Sequence, residues 1–162
     1  MIHYPHTELQ NWPKRREKEN FKTIIFLIPV CYVLGVGLYL KTHQKMYNFF
    51  ILGLIGLSAN VIFMIYAYFR GALIINNTIK EIDITETDVV FKTFSFKIWK
   101  FYTYNEKKVV VKKIDFKFHS DEFPLRDTKY ELKRECHIIT FNDTEFYFLT
   151  KYFEVDLSSV IG

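Results

Sequence analysis

At 162 residues, with 49% apolar residues and a formal charge of +4, the chain has the size of one or two domains. Its apolar residues crowd into two blocks before residue 71, and nearly all acidic residues lie after residue 80, so the two parts are built for different solvents. The basic excess flanks the apolar blocks, whereas residues 76–162 hold fourteen basic and fifteen acidic side chains. That distribution argues against a nucleic-acid-binding domain, which would keep the positive charge on itself.

Residues 1–22 read as a basic cytoplasmic leader carrying Lys14, Arg15, Arg16, Lys18 and Lys22. The first apolar block, residues 23–40 (TIIFLIPVCYVLGVGLYL), lies uncharged between Lys22 and Lys41. As a helix it reaches about 27 Å, just enough for a bilayer core with help from snorkelling lysines. The second block, residues 49–69 (FFILGLIGLSANVIFMIYAYF), reaches about 31 Å by the same rise. Two helices apolar all round exceed what the remaining sequence could surround, which favours membrane spans over buried helices.

Residues Lys41 to Asn48 leave room only for a tight connection, so the spans form an antiparallel hairpin over 23–70. Basic residues cluster on the terminal side, which places both termini in the cytoplasm of an inner-membrane, multi-pass protein. Pro29 either kinks the first span or sits in its first two turns at little cost. Gly53, Gly56, Asn60 and Ala67 recur on one stripe of the second span, and packing against the first span near Cys31 and Gly35 is the expectation. The alternative is an oligomeric transporter or channel subunit in which Asn60 lines a path or an interface. Cys31 and Cys136 belong to different solvents, so both are expected as free thiols.

From residue 76 onward the period changes to two. Asn76-Asn77 reads as a turn. Ile82 and Ile84 alternate with Glu81 and Asp83, residues 85–88 supply a turn, and VVFKTFSFKIW reads as a strand. Its alternation shifts phase between Phe91 and Phe94, which predicts a bulge or break near Lys92-Thr93. Residues 101–104 and 109–118 suggest another strand pair, with Ile114, Phe116 and Phe118 on one face. Residues 119–135 read as a polar loop. HIITF and TEFYFLT around Asn142-Asp143 form the clearest β-hairpin. Phe153, Leu157 and Ile161 recur at helical spacing and predict a short closing helix. The fold class is therefore α+β: a two-helix transmembrane hairpin followed by an antiparallel β domain over residues 76–162.

Two adjacent membrane helices, the stretch EIDITETDVVFKT and a closing Phe/Tyr-rich hairpin resemble bacterial YcxB-like proteins and other small membrane proteins with a pleckstrin-homology-like (PH-like) domain. The resemblance implies a small β-sandwich or barrel capped by a helix, carried on a cytoplasmic membrane anchor. It implies no reaction, because the topology serves many binding tasks.

No catalytic or cofactor constellation stands out. His3, His6, His43, His119 and His137 are scattered, and adjacent Cys136 and His137 point to opposite faces of a strand, so no metal site is expected. No glycine-rich phosphate loop is present, and the carboxylates of residues 115–131 interleave with Lys and Arg as ordinary surface charge. Lys107, Lys108, Lys112, Lys113 and Lys117 are either a lipid-facing basic group or a solvated strand face, and the solvated face is the preferred reading. The expectation is a non-enzymatic interaction or scaffold module, in its narrower form an immunity or accessory protein. Its partners are the bilayer and a protein or a second copy, with no nucleic acid, small-molecule substrate or cofactor.

Overall fold

In the computed structural model, residues 2–42, 47–98, 102–125, 134–155 and 157 are described. Two long helices, α1 (Thr7–Thr42) and α2 (Tyr47–Asn76), bracket the apolar blocks. Nine strands follow or precede them: β1 (Ile2–His3), β2 (Ile79–Ile84), β3 (Asp88–Thr93), β4 (Phe96–Ile98), β5 (Tyr102–Tyr104), β6 (Lys108–Lys112), β7 (Phe118–Glu122), β8 (Glu135–Phe141) and β9 (Thr144–Phe148). They form three antiparallel sheets in the orders β1-β2-β3-β6, β4-β5 and β7-β8-β9. The protein is thus of mixed helix and antiparallel-sheet class.

Ile2 and His3 pair with Asp83 and Ile82, adding a short edge strand to the domain. Helix α1 starts at Thr7, and its first turns bury Leu9 and Trp12 in the same core as the sheets. The apolar pair Leu9 and Trp12, three residues apart, lies on one helix face, a signal hidden by the surrounding charges. Burying side chains of this size stabilises by about 1.5–3 kcal/mol each, enough to dock a helix end that is otherwise polar.

The far end of α2 behaves alike. Asn76-Asn77 is not a free turn before the domain, because the helix continues through Ala72, Ile74 and Ile75 into the core. Its last carbonyls are satisfied locally: the Asn77 amide donates to Leu73 and Ile74, and the Thr78 hydroxyl donates to the Ile74 carbonyl at 2.9 Å. Asn76 donates its side-chain amide to the carbonyls of Phe94 (2.7 Å) and Asn105 (2.9 Å), which pins the helix end to the β3–β4 corner and the β5–β6 loop. No flexible linker separates α2 from the sheets.

The core lies between the β1-β2-β3-β6 and β7-β8-β9 sheets. Ile82, Val89, Phe91 and Val111 point inward from the first, and Ile139, Phe146 and Phe148 from the second. Phe91 and Phe146 meet edge to face at 5.1 Å. The outer face of the second sheet is covered by the helix ends through a ladder of rings, Trp12 on Phe123 (5.8 Å) and Phe123 on Tyr147 (5.5 Å). The Tyr147 amide donates to the Asn77 carbonyl at 3.0 Å, joining β9 to the segment leaving α2.

Several strand expectations hold with shifted limits. The bulge or break predicted near Lys92-Thr93 is present: the β2–β3 register shifts between Ile79↔Thr93 and Glu81↔Lys92, and Phe94, Phe96 and Ile98 are buried beyond it. The β8–β9 turn has Asn142 and Asp143 at φ 48° and 57°, the left-handed pair that suits the twist of a two-residue hairpin. The strand expected over 109–118 is broken by a 3-10 turn at Lys113–Asp115 that leaves Ile114 87% exposed. Part of the expected polar loop is strand β7, paired with β8 from Phe118↔Ile139 to Glu122↔Glu135. Near the end, a 3-10 turn at Thr150–Tyr152 precedes buried Phe153 and Leu157, and Ile161 lies outside the described residues.

Candidate functional site

Helices α1 and α2 touch along a seam of half-buried residues on α2, Leu54, Leu57, Ser58, Val61 and Met64, which ends at Tyr68 packed against the domain core. These recur at three- and four-residue steps, the spacing of one helix face. Tyr32 Oη and Ser58 Oγ meet across the seam at 3.3 Å. Every member of the expected small-residue stripe sits one residue before a seam residue, which on a helix is a rotation of about 100°. Gly53, Gly56, Asn60 and Ala67 accordingly lie exposed, and a Cβ added at Gly35, Gly53 or Gly56 would meet nothing within 4 Å. Asn60 satisfies itself by donating to the Gly56 carbonyl of its own helix at 2.8 Å. Among the described residues none of these four meets the first helix; the Cys31 side chain lies outside the described residues.

The outward faces of both helices are apolar. Val33 (70% exposed), Leu34 and Leu40 on α1 match Ile55, Ile62 (68%) and Phe63 on α2. One helix among the described residues, Gly53–Asn76, is long and apolar enough to cross a membrane, with a mean hydropathy of 1.5.

The five lysines do not gather. Lys107 is half-buried, donating to Asn77 Oδ1 at 2.7 Å and lying 5.8 Å from the Phe146 ring centre, so it fastens the helix end to the sheet. Lys108 and Lys112 share the outer face of β6, opposite Lys92 and Asp88. Lys113 begins the 3-10 turn, its amide bound to the Thr87 carbonyl at 2.9 Å, and Lys117 is exposed beyond it. From Lys108 to Lys112 the strand carries the side chains about 13 Å away from the helix ends.

Sequence reasoning missed a cleft of about 380 Å³ between the end of α2 and the outer face of the β7-β8-β9 sheet. Its floor is the cross-strand row His119↔Ile138↔Tyr147, with Asp121 and Glu145 beside it. Its wall is the α2 face of Arg70, Leu73 and Ile74, continued past the helix end by Asn77. Pro124 closes one side, next to Leu125, which lies 3.7 Å from where a Gly71 Cβ would stand. The signal available in sequence was the alternation of His119 and Asp121, which puts both on one face once residues 118–122 are recognised as a strand.

Charge in the cleft is unevenly placed. Arg70 stands at the outer end of the wall. Glu122 is paired with Arg134 at 2.8 Å, and the Asp121 and Glu145 carboxylates lie at opposite corners of the floor, facing Cys136 and Thr140 of β8 respectively. The Tyr147 hydroxyl donates to Glu145 Oε2 at 3.0 Å. Burial, that hydrogen bond and the Glu145 charge push the Tyr147 phenol up to about 12, against the opposing pull of Arg70. Burial, helped by the Asp121 carboxylate, likewise pushes the Cys136 thiol up to about 12, so this thiol is a poor nucleophile at neutral pH. Among the described residues no group of three or more His, Cys, Asp or Glu could hold a metal ion. Comparison with family models, curated proteins and solved structures gives no match.

Proposed function

We propose that the chain is a membrane-anchored, non-enzymatic interaction module. In this reading α1 and α2 span the cytoplasmic membrane as a hairpin, and a PH-like β domain is held at the cytoplasmic surface. The observation that carries it is the row of exposed apolar side chains on both helices beyond the domain, such as Val33, Leu34, Ile55, Ile62 and Phe63. The rigid seating of both helix ends in the β core supports a role in presentation, since it fixes the orientation of the domain's surfaces toward the bilayer. The partner is a protein or a second copy of the chain, and an immunity or accessory role is the narrower form of the idea.

Cross-linking in native membranes followed by extraction in mild detergent tests this. A reproducible partner or homo-oligomer is expected, and repeated recovery of monomer alone contradicts the reading. A second reading, an oligomeric transporter or channel subunit, is favoured by the open position of Gly53, Gly56 and Asn60, where another helix has room to approach. Disulfide trapping through Gly56→Cys separates the two, because only the second requires this face to meet its copy.

A further inference from the structure

We propose that the open edge of β6 binds an extended acidic segment of a partner protein, which joins the β1-β2-β3-β6 sheet as a further antiparallel strand with the pattern acidic-x-apolar-x-acidic. The proposal rests on the interaction reading and names its partner class, but it does not depend on where the helices lie. Strand β6 ends its sheet, and among the described residues no strand other than β3 pairs with it. The ladder with β3 shows which backbone groups are left over. The Thr93 amide donates to the Lys107 carbonyl at 3.0 Å and the Lys113 amide to the Thr87 carbonyl at 2.9 Å, so in this register residues 107, 109, 111 and 113 turn their peptide groups toward β3. The amides and carbonyls of Lys108, Val110 and Lys112 therefore point away from the sheet, a row of donors and acceptors with the spacing an added strand needs.

Side chains on the same three residues select the occupant. Val110 is 52% exposed on the outer face, and Lys108 and Lys112 are exposed on either side of it. Among the described residues neither lysine is in an ion pair. Residues of an antiparallel strand directly opposite these three share their face, so a carboxylate against each lysine and an aliphatic side chain against Val110 complement the row. A second copy of the edge does not. Pairing two copies about Val110 sets Lys108 of one against Lys112 of the other, and like charges directly opposite are destabilising. Lysine on an open edge guards against self-association in this way, and here it leaves an acidic strand as the complement. Two residues past the strand, Ile114 is 87% exposed in the 3-10 turn, the most exposed large apolar side chain among the described residues. It offers an apolar contact where the added strand runs off the edge.

Fluorescence polarisation of a labelled peptide with Glu-Thr-Val-Thr-Glu at its centre, titrated with the full chain in neutral detergent micelles, tests this. The peptide should bind at least about tenfold more tightly than its Lys-Thr-Val-Thr-Lys counterpart, the size expected from reversing two cross-strand charge pairs. The paired variant Lys108→Glu, Lys112→Glu should reverse that preference. N-methylation of the peptide's Val, whose amide donates to the Val110 carbonyl in the proposed register, should abolish binding; N-methylation of a Thr, whose amide points away, should leave it. Val110→Pro removes an outward amide and no hydrogen bond to β3, so it should lose binding at an unchanged unfolding temperature. If that variant unfolds, the N-methyl pair decides alone, because it leaves the protein unaltered. Equal binding of both peptides, or binding indifferent to the position of the N-methyl group, overturns the proposal. A dimer that the peptide dissociates assigns the edge to a second copy, and displacement by phosphatidylglycerol assigns the lysines to lipid; either overturns it. A partner cross-linked in native membranes and recovered equally with Val110→Pro overturns this surface while the interaction reading stands.

Discussion

Helix α2 is apolar along nearly its whole length, yet its two ends do opposite things with the same residue types. Ile55, Ile62 and Phe63 face outward, whereas Ile74 and Ile75 are buried against sheets and rings. What separates them is Arg70, after which the helix enters the domain without a break. Apolar side chains on the inner stretch exchange water for protein, and those on the outer stretch are left exposed by the chain's own fold. The contrast teaches that one helix is both an exposed apolar arm and a core element; in the proposed membrane reading the domain is then part of the anchor.

The largest effect should come from the inner region. Trp12→Ala removes the first ring of the Trp12–Phe123–Tyr147 ladder and should cost about 3–5 kcal/mol of domain stability, read by denaturant unfolding of the reconstituted protein. An unchanged unfolding midpoint would break the picture of a docked helix end. In the outer region, Ile62→Lys should leave the domain fold alone and add about 2.5–3.5 kcal/mol to insertion, read as a loss of membrane-integrated protein.

A subtler difference concerns pH. The Tyr147 phenol is raised from 10.0 to about 12, so the stability it contributes is fully present below pH 10 and is lost as pH rises through about 12. Ultraviolet difference titration of the protein against Tyr147→Phe should show one phenol ionising late, and titration near pH 10 would mean the cleft floor is open to water. The smallest effect belongs to Asn60→Leu. Because Asn60 bonds to its own helix, the change should alter hairpin stability by less than about 0.5 kcal/mol. A large loss would instead reveal a partner for this face in the assembled state.

Much of this architecture was legible where one period dominates. The apolar blocks, the β8–β9 hairpin and the break near Lys92-Thr93 follow from residue spacing alone. What escaped the sequence were the junctions. Leu9 and Trp12 are two apolar residues among charges, and their role depends on Phe123, more than a hundred residues away. The Asn76-Asn77 pair carries a strong turn signal, but two carbonyls from distant loops make Asn76 a clip at the helix end. The small-residue stripe of α2 lies one position before the half-buried row from Leu54 to Tyr68, because glycine spacing reports only where a close approach is allowed. The cleft was invisible because its floor joins three strands and its wall is a helix, an assembly that no local pattern encodes.

The most direct test of the central claim is solvent accessibility along the two regions of the reconstituted protein. Nitroxide labels introduced by Leu34→Cys and Ile62→Cys in a cysteine-free background should relax with lipid-soluble oxygen and resist a water-soluble nickel chelate. Labels from Thr85→Cys and Val110→Cys on the domain should show the reverse. Free access of the nickel chelate to positions 34 and 62 would contradict a membrane location for the outer helices and, with it, the account of why their apolar faces are turned outward.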